Sequence, residues 1–431
     1  MRSDRFCVIG AGSSGLAVAK NFAAAGLPFD CLEREETLGG NWCYGKPASS
    51  VYRSTHLISS KVLTEFTDFP MPEEYPEYPH QELVWQYLRN YADHFGLDEY
   101  IEYNTAVRHC SPAPKGGWNV ELERGEVRHY RGLVIANGHN WDPRFPEFPG
   151  TFDGLALHSA EYKTPEVLQG QRVLVVGAGN SGCDIAVESA ANAAATLHSM
   201  RRGYYYLPKF FGGFPIDAVG EFALRWRLPL WLRRLLARRS IRLVNGSPEQ
   251  IGLPKPDHKL FETHPIINSQ LAYHVGHGDI VVKPDVAELC GNRVRFTDGT
   301  TEPIDVILYA TGFKISFPFI DLNELNWQGG RPELYLNVFH PERDDLFVAG
   351  MIQPDSGQWG LVDCQAQLIA AYIEGLSADK PACVTFQEQK SRGGASLNRG
   401  IRYVDSPRHL LEVEHFSYRK TLEKLVRNLR L

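Results

Sequence analysis

The sequence predicts an α/β protein made of two Rossmann-like dinucleotide-binding domains, one inserted into the other. Three observations carry this. The hexapeptide GAGSSG (residues 10–15) returns almost unchanged as GAGNSG (residues 177–182). Each copy follows a short apolar run, FCVIG or RVLVVG, and opens a helical pattern. Two more apolar runs, LVIANGHN (133–140) and VILYATGF (306–313), end in a small residue and glycine and bracket the second copy.

The first copy reads as strand, loop, helix, strand. FCVIG is β-branched and apolar throughout, as a buried parallel strand should be. Gly10 makes the tight turn, Gly12 lets the backbone approach a pyrophosphate, and Gly15 permits close helix–strand packing. Ser13 and Ser14 begin a helix whose N-terminal N–H groups suit an anion. SGLAVAKNFAAAG carries that helix to Gly26. FDCLER is the next strand, and Glu33 follows about twenty residues after the glycines, placed with Arg34 to meet a ribose.

The second copy keeps the grammar with one change. Gly177, Gly179, Asn180, Ser181 and Gly182 form the loop and helix start, and ATLHSMRRG is the following strand. It ends in Arg201 and Arg202, where the first copy has Glu33. An acid repels a 2′-phosphate and an arginine pairs with it. The first site is therefore expected to take FAD and the second NADPH. Two dinucleotides on one chain suggest hydride transfer from nicotinamide to flavin. The expected division is an FAD domain of residues 1–155 and 310–431 and an NADPH domain of 156–309.

Composition removes other classes. The chain has 431 residues, 43% hydrophobic and 22% charged, which suits a soluble globular protein. A net charge of −6 gives no bulk case for nucleic-acid binding. No apolar run reaches the ~18 residues of an integral membrane segment. The strand-like FCVIG begins within a few residues of the N-terminus and leaves no room for a signal peptide. Eight cysteines without a C-x-x-C pair indicate neither a metal site nor a disulfide framework. A cytoplasmic protein is expected. Cys43 follows LGGNW, where a redox thiol could sit, but it lacks a nearby partner and reads as a packing residue.

FDGLALHSAEYKTP (residues 152–165) resembles the fingerprint of the flavin-containing monooxygenases, F-x-G-x-x-x-H-x-x-x-Y-K. It matches at Phe152, Gly154, His158, Tyr162 and Lys163, just before the second glycine loop. Related Baeyer–Villiger enzymes end a similar string in Trp then Pro or Asp. GGNW (39–42), DFPMP (68–72), ATGF (310–313) and IQP (352–354) are similar to family motifs, and Asp363 and Gln365 follow at family spacing. The resemblance implies that NADPH reduces FAD, that NADP⁺ stays bound, and that a C4a-hydroperoxyflavin delivers oxygen to a soft nucleophilic nitrogen or sulfur of a small molecule. It implies that Gly39, Gly40, Asn41, Trp42 and Gln353 lie along FAD, and that His158 couples domains and is not an acid or base. The partners implied are a small-molecule substrate and O2. A homodimer is compatible with the reading.

One departure matters. Many family members place an asparagine beside the flavin within Y-x-S-x-x-x-N-x-x-K. Here the string is YRSTHLISSK (52–61), and Ile58 takes the asparagine position. Either His56 or Ser59 supplies the missing hydrogen bond, or NADP⁺ alone holds the intermediate. His56 reads equally as a satisfied loop histidine. Two alternatives stay open: oxygen insertion next to a ketone, and an NADPH oxidase or redox sensor yielding mainly H2O2.

Two segments are not absorbed by this reading. GYYYLPKFFGGFP (203–215) could line a substrate channel, and its rings read more readily as packing. LRWRLPLWLRRLLARRSIRLV (224–244) holds seven arginines and no acid. It could lie on an anionic membrane. The preferred reading is a globular helix with leucines inside and arginines in water, interrupted or started by Pro229.

Overall fold

The computed structural model describes residues 4–226, 228–395 and 397–431. The chain divides into two compact units. Met1–Ser49, Ser59–His139 and Ile315–Leu431 form the first, and Ser50–Ile58 with Asn140–Lys314 forms the second. The boundaries expected at 155 and 310 thus fall at 139 and 314. The first shift has a clear cause: Gly150–Phe152 and Leu155–His158 pair with strands of the second unit. Residues 50–58 leave the first unit because they are tied to the fingerprint segment. Arg53 N donates to the Lys163 carbonyl (2.8 Å), and the Tyr52 ring meets Tyr162 at 5.5 Å.

Both units have the same three layers. In the first, a five-stranded parallel sheet runs in the order Leu346–Val348, Gly132–Ile135, Phe6–Ile9, Phe29–Leu32, Ile101–Glu102. The inner strands are buried on both faces, so they read as continuous apolar runs without alternation. Cys7 and Ile9 pack against Trp118, Val120 and Tyr130 of an antiparallel meander. On the helical side lie Ser13–Ala24 and, packed against it, Trp359–Ser377. The latter is buried almost all round, which explains its lack of a polar stripe. Helix His415–Arg430 covers it with Tyr418, Leu422, Val426 and Leu429, a helical-period face.

The second unit repeats this around the order Ile280–Lys283, Ala195–Ser199, Arg172–Val176, Val306–Tyr309, Leu155–His158, again parallel. Val173 and Val175 face Cys183, Ile185 and Ala186 of helix Asn180–Asn192. Leu174 and Val176 point the other way, onto Val294, Phe296 and Ile304 of an antiparallel sheet. The period-two alternation thus feeds two separate cores.

An excursion between Ala195–Ser199 and Ile280–Lys283 carries the aromatic and arginine-rich segments. Tyr206 is buried, with its hydroxyl 3.4 Å from Met200 Sδ, whereas Phe210 and Phe214 are exposed on a short hairpin. Pro229 caps and starts helix Leu230–Asn245. The globular reading of that helix holds in part: Ile241 is buried and Arg238, Arg239 and Arg242 are exposed, but two arginines turn inward. Arg233 is buried, its guanidinium 5.2 Å from the Phe261 ring. Arg234 pairs with Glu262 at 2.9 Å and donates to the Leu260 carbonyl. Trp231, Leu235, Leu236 and Leu243 are exposed. The helix rests on the loop at residues 260–262, which offers a carboxylate, a carbonyl and a ring face. Those partners suit guanidinium groups, so Arg233 and Arg234 turn inward, while Leu235, Leu236 and Leu243 stay outside.

Candidate functional site

Each glycine loop is built by its strand and helix. Gly10 has φ +101° and Gly177 has φ +110°, conformations that disfavour any side chain. A Cβ on Gly15 would lie 1.8 Å from the Gly10 carbonyl oxygen, and one on Gly182 would lie 1.9 Å from that of Gly177. These two glycines let the helix sit directly on the strand. Gly12 is different: its nearest neighbour would be Gly40 Cα at 3.6 Å. Helices Ser13–Ala24 and Asn180–Asn192 start at Gly12 and Gly179 with no side-chain cap and no acid in the first turn. Their leading N–H groups therefore suit an anion.

The first loop is framed by the predicted residues. Glu33 is buried and accepts from Ala11 N (2.6 Å) and Glu35 N (3.0 Å). Burial raises its carboxyl above the usual range, and the two amides oppose that shift. Each oxygen retains acceptor capacity for a ribose hydroxyl. Gly39 N donates to the Ala11 carbonyl (3.0 Å), which brings the Gly40–Trp42 turn to the loop. The Asn41 carbonyl accepts from Ser49 Oγ (2.7 Å), and the Trp42 ring meets Trp359 edge-on at 6.1 Å. Ser14 is buried beside Gly350, Ser13 is partly exposed, and Arg34 is half exposed next to Glu35. Gln353 is partly buried, and its backbone N–H donates to the Leu411 carbonyl (2.7 Å). Asn137 Oδ1 is buried with no partner among the described residues, one residue past Ala136, whose carbonyl abuts Gly10.

Asp363 and Gln365 are structural brackets for this loop. Asp363 is fully buried and accepts from Asn21 Nδ2 (2.7 Å) and Thr67 Oγ1, with Lys20 Nζ at 3.0 Å. Gln365 Oε1 accepts from Gly350 N (2.9 Å), and its amide donates to the Tyr418 hydroxyl (2.7 Å). Cys43 is buried and burial raises its thiol pKa, which fits a packing role.

In the second loop Asn180 acts as a clamp. Its amide donates to the Pro265 carbonyl (3.0 Å), and its oxygen accepts from Ile267 N (2.8 Å). Ser181 is exposed at the helix start. The register then corrects the comparison with Glu33. Gly10 N bonds the Leu32 carbonyl and Gly177 N bonds the Ser199 carbonyl. Glu33 therefore matches Met200, and Arg201 and Arg202 match Arg34 and Glu35. The acid is still absent from the second copy. Arg201 is exposed and has no charged partner among the described residues. Arg202 is held by Asp257, with Nε at 3.1 Å and NH2 at 3.0 Å. Asp257 lies far along the chain and carries no sequence signal for this role.

The fingerprint is a set of packing devices in the second unit. A Cβ on Gly154 would meet the Asp305 carbonyl at 2.4 Å and the Phe152 ring at 2.6 Å. His158 is fully buried, and Nδ1 accepts from Ala160 N (3.1 Å). Its Nε2 then donates to the Gly312 carbonyl (3.1 Å), and burial lowers its pKa. The Tyr162 hydroxyl donates to Glu188 (2.6 Å), and Lys163 reaches the Val51 carbonyl (3.3 Å). His158 is thus a neutral strand clamp. Of the two candidates for the missing amide, His56 falls in the second unit and Ser59 in the first. His56 is exposed, with Nδ1 2.8 Å from the Ser54 carbonyl. Ser59 Oγ shares a hydrogen bond with Thr64 Oγ1 (2.7 Å). Ile58 is half-buried.

A family model described as FMO-like, flavin-binding monooxygenase-like, matches residues 3–428. Flavin-containing monooxygenase 5 of Rattus norvegicus is 33% identical over 452 residues, covering 99% of this chain and 83% of the relative. Dimethylaniline monooxygenase [N-oxide-forming] 2 of Pan troglodytes is 33% identical over 400 residues, covering 87% and 74%. Among solved structures, an oxidized steroid monooxygenase bound to NADP superposes with a TM-score of 0.71 at 20% identity, covering 99% and 98%, a likeness of fold. Two glycine loops on twin parallel sheets, the fingerprint between them and a match along the whole chain lead to one conclusion: the chain belongs to the flavin-containing monooxygenases and is an NADPH-dependent oxidoreductase that uses FAD.

Proposed function

We propose that this chain oxygenates a soft nucleophilic nitrogen or sulfur atom of a small molecule, with FAD on the first loop and NADPH on the second. The reading rests chiefly on the 33% identity over 87% of the chain to a relative named for forming an N-oxide. The Tyr162–Lys163 ending of the fingerprint, where Baeyer–Villiger relatives have tryptophan, points the same way.

The residues present fit both cofactors. Gly12 leaves backbone open for a pyrophosphate, uncapped helix ends supply N–H donors, and Glu33 accepts from a ribose. Asn137 Oδ1 adds a buried acceptor without a partner among the described residues. Arg201 supplies the charge a 2′-phosphate needs. When bound, reduced FAD provides the chemistry that activates dioxygen, and the protein's part is to bind, orient and shield. The Asp363 and Gln365 brackets fix the first loop helix, and the Gly39–Ala11 bond fixes the turn beside it. No side chain needs to serve as acid or base, and the neutral, clamped His158 agrees with that.

A second reading rests on Ile58. An aliphatic side chain at the usual asparagine position cannot donate a hydrogen bond, and this favours an NADPH oxidase releasing H2O2. One experiment separates the readings. The holoenzyme is supplied with NADPH and, in turn, N,N-dimethylaniline, methyl phenyl sulfide and cyclohexanone. N-oxide or sulfoxide equal to the NADPH consumed supports the proposal. Ester from cyclohexanone alone assigns carbonyl oxygenation. Peroxide equal to NADPH in every case assigns the oxidase.

A further inference from the structure

Strand Ala195–Ser199 of the second unit runs on through Met200 into Arg201 and Arg202. A loop some fifty residues further along the chain lies directly on this strand end. Gly203 forms a parallel bridge with Pro256, and a Cβ on Gly203 would meet the Pro254 carbonyl oxygen at 2.2 Å and the Lys255 backbone at 2.5 Å. The missing side chain at 203 is what lets the loop settle there. Asp257 is the next residue of that loop. Its Oδ2 accepts from Arg202 Nε (3.1 Å) and lies 3.0 Å from Nη2 of the same guanidinium. Its Oδ1 accepts from His258 Nδ1 (2.9 Å). The His258 side chain is 3% exposed, meets the rings of Tyr204 and Tyr205 at 5.7 Å each, and has Nε2 3.2 Å from Thr263 Oγ1. The His258 bond, with the Arg202 charge adding to it, holds the Asp257 carboxyl below its usual range, so it is an anion at neutral pH. Arg202 is therefore already neutralised, whereas Arg201 is exposed and has no charged partner among the described residues.

We propose, on the assignment of NADPH to the second loop, that Asp257 is a specificity-determining residue: it competes with the coenzyme's 2′-phosphate for Arg202 and so narrows the preference for NADPH over NADH. The geometry favours competition over bracing. Both Arg202 nitrogens converge on one carboxylate oxygen while His258 engages the other, which falls short of the two-oxygen pairing that makes arginine–carboxylate bonds strong. The Arg202 and Asp257 side chains are 30% and 51% exposed, and pairs so placed hold weakly. A phosphate, with about two negative charges and three acceptor oxygens, is the stronger partner and draws Arg202 away. With NADH, Asp257 keeps the guanidinium paired, so Arg202 exerts no demand for a phosphate. With NADPH, the displaced carboxylate stays beside the phosphate as a second anion and weakens its binding. Arg201 thus carries the discrimination, and Asp257 limits it.

The test titrates the FAD-loaded full chain by calorimetry, at neutral pH and low salt, with 2′,5′-ADP and with 5′-AMP, which lacks only the 2′-phosphate. D257N should bind 2′,5′-ADP roughly three- to fivefold more tightly, the weight of one exposed ion pair, and should bind 5′-AMP as the parent does. D257S should do the same, without an amide that could take the place of the carboxylate. In an R202Q background D257N should bring no gain, because the competitor then has nothing to hold. The ratio of kcat/KM for NADPH to that for NADH should rise in D257N by the same factor. Weaker binding of 2′,5′-ADP by both Asp257 variants would make the carboxylate a brace for Arg202 and overturn the proposal. Unchanged binding overturns it too, as does a gain that persists with R202Q. R201Q separates this from the assignment of the loop. If R201Q leaves 2′,5′-ADP binding at the parental value, the assignment falls and the proposal with it. If R201Q weakens binding and D257N does not tighten it, the proposal falls alone.

Discussion

Gly12 and Gly15 lie in one loop, yet alanine at each should have opposite effects. At Gly15 the new Cβ would sit 1.8 Å from the Gly10 oxygen, against a comfortable contact of about 3.5 Å. The helix must retreat from the strand by well over an ångström. Overpacking on this scale costs about 3 kcal/mol. In a unit of this size one kcal/mol moves the melting temperature by ~2–4 °C. Gly15→Ala should thus melt about 6–12 °C lower, with or without FAD. At Gly12 the backbone has φ −74° and the Cβ meets nothing nearer than 3.6 Å. Exchanging a glycine N-cap for alanine costs less than about 1 kcal/mol. FAD-free Gly12→Ala should therefore melt within about 3 °C of the parent. Its methyl, however, occupies the approach of the pyrophosphate. Losing one hydrogen bond to a charged group costs about 1.5–3 kcal/mol, so the FAD dissociation constant should rise at least tenfold. Calorimetry on FAD-free protein and flavin-fluorescence titration read the two effects separately. Parental FAD affinity in Gly12→Ala would refute the assignment of this loop to the pyrophosphate. A parental melting temperature in Gly15→Ala would refute the packing argument.

Arg201→Gln should raise KM for NADPH about 10–100-fold, the loss of one charge-assisted pair, and leave KM for NADH unchanged. Arg202→Gln should do less, because Arg202 must first give up Asp257; steady-state kinetics with both coenzymes decides. Asp363→Ala strips Asn21 and Thr67 but leaves Lys20 with Asp68 (2.6 Å), so urea unfolding should show a loss near the low end for a broken buried pair, about 3 kcal/mol. The pH dependence of the second unit holds two opposing contributions. Burial depresses His198 to about 4, so its stabilisation is lost as pH falls from 6.5 towards 4. Burial raises Asp184 to about 6, so folding takes up a proton and stability grows as pH falls from 6 towards 3.8. Each amounts to about 3 kcal/mol, and the lowered His158 adds to the His198 direction. His198→Gln should gain stability on acidification and Asp184→Asn should lose it, measured by urea midpoints from pH 6.5 to 4.5.

What was legible in the sequence was local. A strand, a glycine turn and a helix lie within about twenty residues, and steric necessity fixes each glycine: Gly10 by its positive φ, Gly15 by its approach to Gly10. What was illegible depended on distant partners. Residues 50–58 belong to the second unit because Lys163 and Tyr162 hold them, over a hundred residues away. Helix Leu230–Asn245 shows two faces in its periodicity, but which face is inner depends on what it rests against. That turned out to be Phe261 and Glu262, not an apolar sheet. Asp257 holds Arg202 with no motif to announce it.

The duplication places a chemical difference between the two loops at one matched position. Val8 pairs with Cys31 in the first sheet and Val175 pairs with His198 in the second, so Cys31 and His198 occupy one position. Both donate to the carbonyl of the first loop glycine, Cys31 Sγ to Gly10 at 3.6 Å and His198 Nε2 to Gly177 at 2.9 Å. That carbonyl is also the atom that Gly15 and Gly182 allow the helix to approach. Two different side chains perform the same service, so the loop's shape is maintained independently of what it binds. The chemistry changes two residues later, where Glu33 stands against Met200. A carboxylate tied to Ala11 N stiffens the first loop and would repel a 2′-phosphate there. Methionine does neither, and the arginine after it then stands without a neighbouring acid of the Glu33 kind. Met200→Glu should therefore weaken NADPH far more than NADH even with Arg201 intact. Equal weakening of both would mean that the arginines alone choose the coenzyme.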